Sequence, residues 1–196
     1  MEHDRLHRSC MVLPIRECVN AARLDLIQEF RKLWEQHDVW TRMTLLSIIN
    51  GLPDEALVTA RLLRNPKDFA NLLKVFYGEA TAGTFQSLLS DHLVIAAELV
   101  KASMGGDTAL AERTKKRWYA NAGAIAKFLG ERNPYWSEQD WQRMMNEHLD
   151  LVLQEATDLM NKDYQGSIDT YDQLEEQSLG MADMLSEGII RQFPYI

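Results

Sequence analysis

Three segments of the chain share one pattern of aromatic, aliphatic and histidine at helical spacing: Phe30-x2-Leu33-x3-His37, Phe85-x2-Leu88-x3-His92 and Trp141-x2-Met144-x3-His148. Positions i, i+3 and i+7 fall on one face of a helix, so each histidine belongs to an apolar stripe rather than to a solvated face. The stripes continue as Trp40 and Thr44, as Ile95 and Leu99, and as Leu151 and Glu155. Successive histidines are 55 and 56 residues apart. That unit is longer than a solenoid helical repeat and suits one helix hairpin. The expectation is therefore an all-α, up-and-down bundle of about six helices, ferritin-like, made of three hairpins that arose by internal duplication.

Glycine and proline mark where the helices stop. There are only 10 glycines and 5 prolines in 196 residues, below the usual share of about 12%, which favours long helices over a loop-rich β fold. Gly51-Leu-Pro53 ends one helix and opens another, with Asp54 and Glu55 at the positive end of its dipole. Asn65 followed by Pro66 reads as an N-cap before a helix-opening proline, so 54–77 can be two short helices. Gly78 closes that segment, Gly105-Gly106-Asp107 is a stop followed by a cap, and Ser137 with Asp140 is a capping-box variant. The spacing predicts helices over 20–50, 54–77, 80–104, 107–131, 137–161 and 164–192. Short connections make successive helices antiparallel neighbours. Residues 1–20 form an N-terminal arm, and 21–196 a single helical bundle domain.

Charge and composition exclude several classes. The net charge of −8 argues against nucleic acid or an anionic membrane surface as partner. No apolar run reaches the roughly 18 residues of a membrane span. The two cysteines, Cys10 and Cys18, both lie in the arm and supply neither a disulfide framework nor a ligand quartet. A reduced, cytoplasmic protein is expected, as a monomer or homodimer. Phosphate-cradling glycine loops and the Gly-x-Ser-x-Gly elbow are missing, which removes nucleotide-dependent chemistry from consideration.

If the three histidine-bearing helices run parallel, their imidazoles lie at one height, and helices about 8–10 Å apart would let them meet. A neutral imidazole is the commonest metal ligand. Glu155 shares a stripe with His148, and Glu175 shares a face with Tyr171, Ser178, Ala182 and Leu185. The expected metal centre is thus His37, His92 and His148 with Glu155 or Glu175, a donor set that suits zinc, iron or manganese. Asp68, Asn121 and Asp183 are candidate partners for the outer ring nitrogens. The other reading is an interaction or structural protein whose core histidines only satisfy hydrogen bonds. Trp40-Thr41-Arg42 and Arg117-Trp118-Tyr119 could line a small-molecule pocket. His3 and His7, spaced i and i+4, belong to the arm.

The stretches Leu33-Trp-Glu-Gln-His-Asp-Val-Trp-Thr-Arg42, Arg61-Leu-Leu-Arg-Asn-Pro-Lys-Asp-Phe69 and Arg117-Trp-Tyr-Ala-Asn-Ala122, with Met181-Ala-Asp183 and Gln192-Phe-Pro194, carry a likeness. Across residues 28 to 194 the chain resembles a family of small all-helical proteins from spore-forming Gram-positive bacteria, a family with no characterised activity. Some members bear the name acetylglutamate kinase. That name implies an α/β fold and a glycine-rich nucleotide site, and this sequence has neither. The Trp34-x2-His37-x2-Trp40 opening is also similar to duplicated ferritin-like bundle proteins, in which inward histidines and carboxylates hold metal.

Overall fold

The computed structural model describes residues 21–196, and among them every regular element is helical. Five long helices and one short one follow in order: α1 Ala21–Asn50, α2 Glu55–Leu62, α3 Asn65–Met104, α4 Thr108–Arg132, α5 Glu138–Met160 and α6 Tyr164–Gln192. The expected arm over 1–20, with Cys10, Cys18, His3 and His7, lies outside the described residues. No helix among the described residues is long and apolar enough to cross a membrane.

The helix starts follow from short polar side chains that satisfy the orphan backbone N–H groups of a first turn. The Asp107 carboxylate accepts from the Leu110 N–H at 2.9 Å, Ser137 Oγ from the Asp140 N–H at 3.2 Å, and the Asp163 carboxylate from the Gly166 N–H at 2.9 Å. Two junctions depart from the sequence expectation. Asn65 does not cap: it is the first residue of α3, fully buried, and its side chain bonds elsewhere. Arg64 precedes it without a side-chain cap. Gly78 does not open a loop either. It is a single non-helical residue at φ 76°, ψ 172° inside α3, a backbone state costly to any residue with a Cβ. One glycine therefore does the work expected of a connection between 77 and 80.

Packing neighbours run from α3 to α4, α5 and α6, then to α1 and back to α3, with α2 against α1. Contacts show the directions. Along α1, Phe30, Gln36 and Ser47 meet Phe69, Arg61 and Asp54 in descending order, so α1 is antiparallel to the 54–77 stretch. Arg31, Asp38 and Arg42 likewise meet Asp183, Ser178 and Ser167 on α6. The second part of α3 meets α4 through Phe85 with Phe128 and His92 with Trp118, and α5 meets α6 through Met144 with Gln177 and Asp158 with Thr170. Both α1 and α5 thus oppose α6 and run parallel to one another.

Aromatic rings fill the interior. Phe30, Phe69, Phe85 and Phe128 form a chain with centroid separations of 6.4, 6.0 and 6.3 Å, and Trp34 stands 5.5 Å from Phe69. Burying each such ring stabilises the fold by about 1.5–3 kcal/mol. Trp34 also touches His37 at 5.3 Å and His148 at 5.8 Å, so the apolar core grades directly into a polar centre.

Candidate metal centre

The helical period of the stripes carries the three histidines inward: His37 is 3%, His92 2% and His148 2% exposed. Each ring is held in the same way. His37 Nδ1 lies 3.2 Å from Asn65 Oδ1, and the same amide donates through Nδ2 to the Leu33 carbonyl at 2.9 Å. His92 Nδ1 lies 2.8 Å from Asn121 Oδ1, whose Nδ2 donates to the Leu88 carbonyl at 3.1 Å. His148 Nδ1 lies 3.1 Å from Gln177 Oε1, whose Nε2 donates to the Met144 carbonyl at 2.9 Å. In every case the carbonyl belongs to the residue four before the histidine.

This clamp decides the tautomer. A backbone carbonyl only accepts, so the NH2 end of each amide must face it and the oxygen end must face the ring. The amide oxygen also only accepts, so Nδ1 carries the proton and donates. Nε2 then bears the lone pair in all three imidazoles. Burial holds the rings neutral: the proton affinity of His37 falls to a pKa of about 4 against its amide bond, and that of His92 to about 3. His148 is also lowered well below its ordinary value, first by burial and then by His37 and His92. His37 and His148 have ring centroids 5.6 Å apart, and His92 shares an electrostatic influence with both.

His37, His148 and Asp38 are all buried, and each offers one ligand atom within 4.8 Å of the others. That group could hold a metal ion. Asp38 is 1% exposed; its Oδ1 accepts from Ser178 Oγ at 3.1 Å, and its Oδ2 has no hydrogen-bond partner among the described residues. Burial raises its pKa well above the carboxylate range against the Ser178 bond, and Glu35, Glu155 and Glu175 push it further. Ser178 Oγ also lies 3.3 Å from His148 Nδ1. With its own proton given to Asp38, the hydroxyl accepts from that ring.

The other expected residues are placed differently. His92 stacks on Trp118 at 5.2 Å and lies outside the 4.8 Å group. Glu155 is fully buried but ion-paired with Arg42, which also donates to the Ser167 carbonyl at 3.2 Å and lies 5.1 Å from the Tyr171 ring. Burial still lifts its pKa to about 6 against that pair, and its Oε2 is unpartnered among the described residues. Glu175 is half-buried beside Glu35, whose pKa is raised by burial and then by Glu175. Of the candidate outer partners only Asn121 holds a histidine. Asp68 pairs with Arg64 and Asp183 with Arg31 at the surface.

Asp38, Asn65 and Gln177 escape a reading of apolar stripes. The last two had a usable signal: Asn65, Asn121 and Gln177 recur at intervals of 56 residues, in step with the histidines. No family model matches this chain, and neither a curated protein sequence nor a solved structure matches it.

Proposed function

We propose that the protein binds a metal ion through His37, His148 and Asp38, with His92 as the third imidazole. One observation carries this reading: three amide clamps make all three Nε2 atoms lone-pair donors, and two of those rings, His37 and His148, are grouped with the buried Asp38, whose Oδ2 has no hydrogen-bond partner among the described residues. A ring nitrogen whose other N–H is fixed by an outer partner is how metal-ligating histidines are oriented. The set of nitrogens and one oxygen suits zinc, iron or manganese, and a bound ion would supply Lewis acidity or, for iron and manganese, redox chemistry. Asp38 takes the carboxylate place assigned by sequence to Glu155 or Glu175, because Glu155 is already balanced by Arg42. The threefold use of one clamp supports internal duplication of a helix hairpin.

Elemental analysis of tag-free protein purified without chelator tests the reading. Near-equimolar zinc, iron or manganese is expected, with uptake on titration after stripping. A metal-free protein that takes up none of the three would leave the histidines as hydrogen-bonded core residues.

The outer partners give a second expected result. Gln177→Leu keeps the His148 ring but removes its acceptor, and metal affinity should fall about 10- to 100-fold. An unchanged affinity would mean that the clamp does not orient a ligand.

Proton release gives a third. His37 and His92 are already neutral near pH 6, whereas burial makes Asp38 hold its proton to higher pH than an ordinary carboxylate. Zinc uptake should therefore release a proton from Asp38 over a pH window that extends above the ordinary carboxylate range. Calorimetric titration in two buffers of different ionisation enthalpy measures it. Asp38→Asn should abolish the release, and a release that persists in that variant would exclude Asp38.

A further inference from the structure

A second feature borders Thr41, one turn along α1 from His37, and Trp118, which stacks on His92. A partly open cavity of 220 Å³ lies between α1, the short α2, α3, α4 and α5, with the exposed Leu63 and Val94 at its mouth. Its wall is almost wholly aliphatic, with Leu45, Leu62, Leu93 and Val152 among the lining side chains. Packed proteins leave few apolar spaces larger than a water molecule, and the partial opening of this one gives a small ligand a way in. An apolar cavity of about 150 Å³ in another protein takes up benzene, which scales to roughly nine non-hydrogen atoms here.

Two of the polar groups that line the cavity, Thr41 Oγ1 and Trp118 Nε1, are buried without a hydrogen-bond partner among the described residues. Native interiors rarely leave such groups unpaired. The hydroxyl can donate and accept, while the indole N–H only donates. One ligand oxygen with two lone pairs and a proton of its own would answer both. Charge narrows the choice further. Among the described residues, the charged ones that line the cavity are Glu98 and Lys101. Both have exposed side chains already engaged, Glu98 with Arg117 at 3.0 Å and Lys101 with Glu55 at 2.6 Å. No cation waits inside for a carboxylate.

We propose that this cavity is a binding site for an uncharged, chiefly aliphatic molecule of about six to eight carbons bearing one terminal hydroxyl, a primary alcohol in its simplest form. The chain lies among the aliphatic side chains and the hydroxyl meets Thr41 and Trp118. Thr41 follows His37 by one helical turn, and Trp118 stacks on His92, so the polar end of the ligand faces the histidine centre. The proposal stands whether or not the histidines hold metal, because no ligand contact it uses is to a metal.

The test is calorimetric and thermal-melting titration of the full chain, with and without chelator, against 1-heptanol, n-heptane and heptanoate. Heptanol should bind and raise the melting temperature in both conditions, and heptanoate at pH 8 should not. Ala97→Phe fills the space from a half-buried wall position and should abolish binding of heptanol and heptane alike. Thr41→Val removes only the unpartnered hydroxyl. It should weaken heptanol by about three- to tenfold, the worth of one hydrogen bond, and leave heptane unchanged. Failure of the wild-type chain to bind heptanol at its solubility limit overturns the proposal. Equal binding of heptanoate, or undiminished binding by the folded Ala97→Phe chain, does so as well. Loss of metal binding alone leaves these results where they are, so the two readings fail separately.

Discussion

Replacing His148 by alanine is expected to remove metal binding outright. The affinity loss should exceed the roughly 100-fold upper end for loss of an outer partner. His148 is one of two imidazoles in the buried 4.8 Å group. Its removal leaves one nitrogen, one carboxyl oxygen and the more distant His92. The stability readout is as large. An ion present at 1,000 times its dissociation constant stabilises the folded chain by about 4 kcal/mol. That increment should be seen for the wild-type chain and vanish for His148→Ala. The variant also leaves a small void beside Trp34, so the stripped forms must be compared first; a core truncation of this size costs about 2–5 kcal/mol by itself. His37→Ala should behave in the same way, since Asn65 and Leu33 hold that ring as Gln177 and Met144 hold its counterpart. If either variant keeps the metal-dependent increment, the ion sits elsewhere.

What the sequence made legible was periodic, and what it hid depended on register between helices. The stripes through Phe30, Phe85 and Trp141 face the interior, with Trp40, Leu88, Met144 and Leu151 half-buried and the other members buried, because a period near 3.6 leaves a helix one way to bury its apolar face. Asn65 was misread because Asn before Pro is a common helix start, and only the opposing Leu33 and His37 reveal its use. Gln177 hides among Glu175, Glu176 and Gln173 on one turn. Nothing local marks it as the residue that faces His148, 29 positions away. Asp38 follows His37 by one residue, a step of about 100° around the helix. Such a step normally turns a side chain from the core, but here α6 covers that side and presents Ser178. The carboxylates show the same limit. Glu155 was correctly placed inside by its stripe, yet its partner Arg42 lies 113 residues away, and that pairing removes it from the ligand set.

The electrostatics of α1, α5 and α6 give the centre its asymmetry. Glu35, Asp38, Glu155 and Glu175 act on one another, and Arg42 is the one cation that the structure pairs with any of them. Burial is the main reason Glu35, Asp38 and Glu155 hold their protons more tightly than usual, and for Glu35 and Asp38 the neighbouring carboxylates of this group add to it. A cation entering beside Asp38 relieves that repulsion, and the neutral imidazoles on its other side add none. The same crowding makes an anionic ligand unfavourable there, in keeping with an uncharged occupant for the adjoining cavity.

Gly188→Ala is expected to be the most damaging single methyl group that can be added to this chain away from the histidines. Gly188 is buried on α6, and a Cβ built there would overlap the Trp136 indole at Nε1 and Cδ1. Trp136 is 3% exposed in the turn between α4 and α5, where its Nε1 donates to the Met184 carbonyl at 3.0 Å and its ring packs on Tyr77 and Trp141. The indole cannot yield without breaking that bond and disturbing both aromatic neighbours. Overpacking costs about 1–3 kcal/mol, and an orphaned buried donor adds about 1–3 kcal/mol. At roughly 2–4 °C per kcal/mol for a domain of this size, the melting temperature should fall by about 5–20 °C. Gly83→Ala is the matched control. Gly83 is exposed on α3 with nothing within 4 Å of an added Cβ, so the same change should gain about 0.5–1 kcal/mol from helix propensity alone. Opposite shifts in the two melting curves would show that Gly188 is held by the Trp136 contact. Equal shifts would place the cost in the helix backbone and leave Trp136 free to move.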